Sequence, residues 1–151
     1  MQTEPKMFES EKIHYQRNEK SILERCDVSC REVIQSLNRC RYLGTMSCCE
    51  GHESNDNVVY HIQMVYGLEA FEKLLKLYQL LTVTFDEPNV VEMKFARKRS
   101  LANNKDPLNV VTFFVRRDIY TKPSANKVSQ IFMSWIEAYR ADEPTHFYSW
   151  S

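Results

Sequence analysis

The chain has 151 residues, with 20 lysines and arginines balanced by 20 aspartates and glutamates. No global field therefore steers it toward nucleic acid or an anionic membrane, and any such binding needs a local patch. Hydrophobic residues make up 43%, with eight Tyr and eight Phe, a composition that excludes a disordered chain and fits one packed domain with its own core.

Other classes fall away as quickly. No apolar run approaches the roughly 20 residues a membrane span needs, and the charged start MQTEPKMFESEK lacks the apolar stretch of a secretory signal. Five cysteines, an odd number with one adjacent pair, do not read as a disulfide framework. The expectation is a soluble protein of the reducing cytoplasm.

Residues 1–24 are polar and weakly patterned, a tail or marginal helix. The α+β domain is expected over 25–143, and an aromatic tail over 144–151. The first firm element begins at DVSCRE, where Ser29 and Glu32 have capping-box spacing. Val33, Ile34 and Leu37 fall on one helical face, the helix is expected to reach about Arg41, and Gly44 can supply the left-handed residue that ends it. TMSCC reads as a short strand or the approach to a turn, and GHESNDN as a loop.

VVYHIQMVY alternates Val58, Tyr60, Ile62, Met64 and Tyr66 against Val59, His61, Gln63 and Val65, the period of a strand. LEAFEKLLKLYQLL places Leu68, Phe71, Leu74, Leu75 and Tyr78 on one helical face. TVTF reads as a short strand, with a turn at Glu87-Pro88-Asn89. VVEMKFARKR alternates again, and NVVTFFVRR is apolar on both faces, as a central strand covered on both sides would be. In the last helix Val128, Ile131, Phe132, Trp135, Ile136 and Tyr139 form a stripe, with Ser124 or Asn126 as N-cap and Pro144 beyond its end. The order α-β-β-α-β-β-β-α predicts a single α+β domain, an antiparallel or mixed sheet packed by about three helices.

Chemistry-bearing residues concentrate in TMSCCEGHES. Cys49 and His52 have the C-x-x-H spacing of zinc ligands, and Cys26, Cys30 or His61 could complete a site. A helix of that length spans roughly 15–20 Å, which is expected to hold Cys26 and Cys30 away from the turn. A nucleophilic cysteine with His52 or His61 as base and Glu50 as orienter is a second reading. The turn follows the C-terminal end of a helix, where the dipole disfavours a thiolate. A third is a core cysteine beside a polar turn at Gly51. A fourth is a ligand pocket in which amides around Gly51, with His52 and His61, hold a phosphate or nucleoside-like group.

Helix, Thr45, Ser47, Cys48 or Cys49, then Gly51 and a strand resembles the Ser-Cys-Ser-Gly-Arg stretch of the wybutosine-synthesis methyltransferases. TFDEPNVVEMKF is similar to that family's Phe-Glu-Pro and following strand. The resemblance covers about residues 28–95 and departs at Glu50 and His52, which stand where the family has serine and arginine. It implies an enzyme acting on a modified guanosine of tRNA with S-adenosylmethionine. Small uncharacterised bacterial and phage proteins with helix, Thr, Cys-Cys-Ser/Glu-Gly-His and strand are closer in pattern. That likeness implies no activity, and places CCEGH at the mouth of a pocket between helix and sheet.

Two basic clusters remain, Arg97-Lys98-Arg99 and Arg116-Arg117. A hairpin of 90–99 with 109–117 would set Arg97 near Val111 and Arg117 near Val91, about 20 Å apart, and so not in one patch. Arg97 and Arg99 share the face of Val91, Met93 and Phe95, where they can pair with carboxylates or meet phosphate. The function expected first is a small binding protein for a nucleotide-like or other anionic ligand. Ser47, Cys49, Glu50, Gly51, His52 and His61 would line its site, with Arg97 or Arg99 as the cation. The alternatives are a tRNA-modifying enzyme of the methyltransferase type, and a protein-interaction module acting through its tails. RNA or a protein are the macromolecular partners considered, a membrane is not, and no cofactor is specified.

Overall fold

The computed structural model describes residues 19–50, 58–87, 89–99, 107–117 and 124–142. Gly51 and His52, the tail 144–151, and the segment before Glu19 lie outside these residues. The described elements are α1 (Glu19–Arg25), α2 (Val28–Asn38), β1 (Leu43–Glu50), β2 (Val58–Tyr66), a single 3-10 turn at Leu68–Ala70, α3 (Phe71–Thr84), β3 (Val91–Arg99), β4 (Pro107–Arg116) and α4 (Ala125–Ala141). The four strands form one sheet in the order β1-β2-β4-β3, with every pairing antiparallel. This is the α+β fold expected from the sequence. None of the described helices is long and apolar enough to cross a membrane.

Alternation along β2 decides which face is buried. Tyr60, Ile62 and Met64 are fully buried on the helical side, where Tyr60 and Phe113 pack their rings on Phe132 of α4. Val33, Ile34 and Leu37 of α2, Leu74, Leu77 and Leu81 of α3, and Val128, Phe132 and Ile136 of α4 complete this core. Burial of such a side chain contributes about 1.5–3 kcal/mol. β4 is central, as its apolar composition predicted, but it is not covered on both sides: Thr112, Phe114 and Arg116 on its second face are only half-buried.

α2 and α4 run in the same direction. The hydroxyl of Ser129 donates to the Ser29 carbonyl near the start of both helices, and the Tyr139 hydroxyl donates to the Arg41 carbonyl near their ends.

Several local expectations are corrected. Asp27, not Ser29, is the N-cap of α2; its backbone is extended and its carbonyl accepts the Cys30 amide. α2 ends at Asn38, and the left-handed residue beyond it is Tyr42, at φ 67°. Gly44 instead lies within β1. Tyr42 is held there because its carbonyl accepts the Gly67 amide at 2.9 Å. A Cβ on Gly67 would stand 3.1 Å from the Tyr42 ring, which explains the glycine.

Residues 82–84 of TVTF are helix, not strand. The hydroxyls of Thr82 and Thr84 donate back to the carbonyls of Gln79 and Leu80, and Leu81 continues the buried row begun by Leu74 and Leu77. That row is rotated from the expected stripe, leaving Leu68 and Phe71 exposed. In the β3–β4 pair, Arg97 lies opposite Asn109 and Val91 opposite Val115. The register is therefore two residues away from the expected one. A two-residue slip keeps every side chain on its face, so the face assignments stand.

Candidate functional site

The second face of the sheet has no described helix packed on it. At one end Tyr42 and Met46 close over Val65, Leu108 and Val110. β1 accommodates Met46 through a register shift between Thr45 and Ser47, an extra residue that re-aims the strand. At the other end the same face carries His61 and Gln63 of β2, Thr112, Phe114 and Arg116 of β4, and Glu92 and Lys94 of β3, by the register His61↔Phe114, Gln63↔Thr112, Glu92↔Phe114 and Lys94↔Thr112.

Phe114 is the centre of this group. The His61 imidazole stacks on its ring with centroids 5.5 Å apart and planes 16° from parallel. The Arg116 guanidinium lies 5.1 Å and the Lys94 ammonium 5.4 Å from the Phe114 centroid, distances at which the ring quadrupole attracts a cation. Glu92 ties the two cations together, accepting from Arg116 at 3.1 Å and pairing with Lys94 at 3.6 Å. The Gln63 amide donates to the Thr112 hydroxyl at 3.3 Å. Burial pushes the His61 imidazole below its usual value, so near neutral pH it is an uncharged flat ring. The result is a half-buried, stacked ring pair with two cations over the Phe114 ring.

Behind β1, on the helical side, lies a buried polar cluster. The Cys48 thiol donates to the Tyr60 hydroxyl at 3.3 Å, and the Ser129 hydroxyl is hydrogen bonded to the same phenol at 3.2 Å. Cys30 is buried in the same core, and its thiol's pKa is lowered, chiefly by Cys48. Burial, then the neighbouring thiols, push the Tyr60 phenol well above its usual range. Cys26, Cys30, Cys40 and Cys48 are all buried free thiols. Burial raises Cys26, whose Sγ donates to the Leu23 carbonyl.

The expected site residues divide. Register puts Ser47 opposite Gln63 and Cys49 opposite His61, so the β1 end of CCEGH borders the His61–Phe114 pair. Glu50 is placed only by its register with Tyr60, and Gly51 and His52 lie outside the described residues. Arg97, opposite Asn109, shares the face of Val91, Met93 and Phe95. It lies on the other side of the sheet from His61 and five residues along β4 from Phe114, about 17 Å. Arg99 continues that strand end, opposite Pro107. The cations that meet His61's ring partner are Lys94 and Arg116 instead.

Among the described residues no three His, Cys, Asp or Glu side chains are grouped to hold a metal. The C-x-x-H reading itself falls on His52, outside them. Two grooves open on the helical side. One of about 1270 Å³ between α2 and α4 is lined by Ser29, Glu32, Ser129, Glu137 and Arg140. The other, about 550 Å³ between α3 and α4, is lined by Leu80, Val83 and Trp135 with Lys73 and Lys76 at its edge. Neither is lined by an expected site residue.

Sequence reasoning missed Phe114 and Lys94, and read Arg116 only as half of the Arg116-Arg117 cluster. Their signal was the alternation Phe114-x-Arg116, masked because Phe113 beside it made the strand read as buried on both faces.

No family model, curated protein or solved structure matches this chain.

Proposed function

We propose that the chain is a binding protein for a nucleotide-like ligand, taken on the sheet face that no described helix covers, beside the end of β1. The observation that carries this reading is the His61–Phe114 ring pair flanked by Lys94 and Arg116. A base offers a flat π-face for the rings, and its phosphate offers a charge for the cations. Stacking on an aromatic side chain is worth about 1–3 kcal/mol per base. Ser47 and Cys49 of β1 lie opposite Gln63 and His61, beside the rings. This keeps the expected ligand class and moves its cations from Arg97 and Arg99 to Lys94 and Arg116.

Two-dimensional 15N–1H NMR titration with uridine and adenosine 5′-monophosphate tests it, because the method detects millimolar binding. The expected result is saturable shifts at His61, Gln63, Thr112 and Phe114, lost in Phe114→Ala. Shifts confined to the helical grooves, or unchanged in Phe114→Ala, would refute it.

A further inference from the structure

We infer that the ligand is a stretch of single-stranded nucleic acid, its sugar–phosphate backbone following β3 while a base stacks at His61–Phe114. The inference rests on the stacking reading above and adds the polymer.

β3 is the edge strand of the described sheet, so among the described residues no further strand lies beside it. Its residues on the ring-bearing face are Glu92, Lys94, Ala96 and Lys98, opposite Phe114, Thr112, Val110 and Leu108. Lys94 is 61% exposed in its side chain, and Ala96 and Lys98 are exposed. The small Ala96 leaves the path between the two lysines open. Four strand residues set Lys94 and Lys98 about 14 Å apart. One mononucleotide phosphate cannot serve both, whereas a few linked nucleotides can.

Charge follows the same line. Among the described strand residues of this face, Lys94, Lys98 and Arg116 stand against Glu92 alone, and Glu92 is already held by Arg116 and Lys94. In a chain whose formal net charge is zero, this is the local patch that phosphate binding requires. The rings favour single strands, because a paired base keeps its faces inside the duplex stack.

The test is fluorescence anisotropy of labelled U8 and dT8, with U8 annealed to its complement as the duplex arm and unlabelled uridine monophosphate followed by NMR. The octamers are expected to bind at least tenfold more tightly than the monophosphate and the duplex. Lys98→Ala is expected to weaken octamer binding several-fold and to reduce the log–log salt slope by about 0.7, while leaving monophosphate binding unchanged. Lys76→Ala, which removes an exposed charge on α3, is the control and is expected to change neither. Tighter binding of U8 than dT8 would place a contact on the 2′-hydroxyl; equal binding would mean that backbone and base suffice. Monophosphate binding with no gain for the octamers, or Lys98→Ala matching Lys76→Ala, overturns the polymer inference alone. Binding of neither monophosphate nor octamer overturns the stacking reading with it.

Discussion

Cys30, at the start of α2, and Cys48, near the end of β1, share one buried cluster, in which Cys48 is the largest influence lowering the Cys30 thiol's pKa. Eighteen residues separate them in the chain, yet the path goes out and back. The helix Val28–Asn38 and the part of β1 from Leu43 to Cys48 are of nearly equal length, about 16 Å for eleven helical residues at 1.5 Å each and about 17 Å for five strand steps. β1 therefore brings Cys48 back beside the beginning of α2. The expected separation of the cysteines, and the unfavourable dipole read at the turn, both assumed that the helix's far end was its neighbour.

That pair sits under Tyr60, which both thiols and Ser129 contact. Tyr60→Phe removes the shared hydroxyl and strands its buried partners, with an expected loss of about 1–2 kcal/mol by urea denaturation. Because the phenol's pKa is raised on folding, Tyr60 favours the folded state fully below its unfolded pKa near 10. The contribution is lost as pH rises beyond that value. Wild type is expected to lose stability above about pH 10 more steeply than Tyr60→Phe.

Thr45 gives a prediction of opposite sign. Its side chain is buried, and its hydroxyl has no hydrogen-bond partner among the described residues. Its amide, by contrast, donates to the Asn38 side chain at 2.8 Å. Thr45→Val keeps the shape and removes the unpaired oxygen, so it is expected to stabilise the fold by about 1 kcal/mol. Asn38→Leu leaves that amide without its acceptor and also cuts the bond from Asn38 to Glu19 of α1. The expected cost is about 2–3 kcal/mol, and thermal denaturation of the two variants should move in opposite directions.

His61 sets the acid side. Burial lowers its pKa, so the folded state disfavours the imidazolium. Its contribution is fully present above the unfolded pKa near 6.5 and is lost as pH falls from there toward the folded pKa. His61→Phe keeps a ring against Phe114 without a titrating group. Between pH 7.5 and pH 5, wild type is expected to lose more stability than this variant; equal losses in urea titrations would contradict the assignment.

The strands and helices were largely legible because alternation and helical periodicity are local properties. Tyr60, Ile62 and Met64 announced their buried face, as did Val33, Ile34 and Leu37. The ending of α3 was not legible, since Thr-Val-Thr has strand propensity and only the burial of Leu81 in the core overrides it. The candidate site was half legible. His61 and the CCEGH border were visible in the sequence, but their partners depend on β2 lying beside β4, which no local pattern specifies. Lys94 and Arg116 come from different strands and meet only through Phe114 and Glu92.

The central claim is that the sheet face bearing His61 and Phe114 is the ligand surface, and ultraviolet crosslinking of U8 followed by peptide mass mapping tests it most directly. Crosslinks are expected within Val58–Tyr66 and Pro107–Arg116, with His61 and Phe114 as the modified residues, and are expected to disappear in Phe114→Ala. Crosslinks mapping to α2, α3 or α4 instead, or persisting at full yield in Phe114→Ala, would contradict the account.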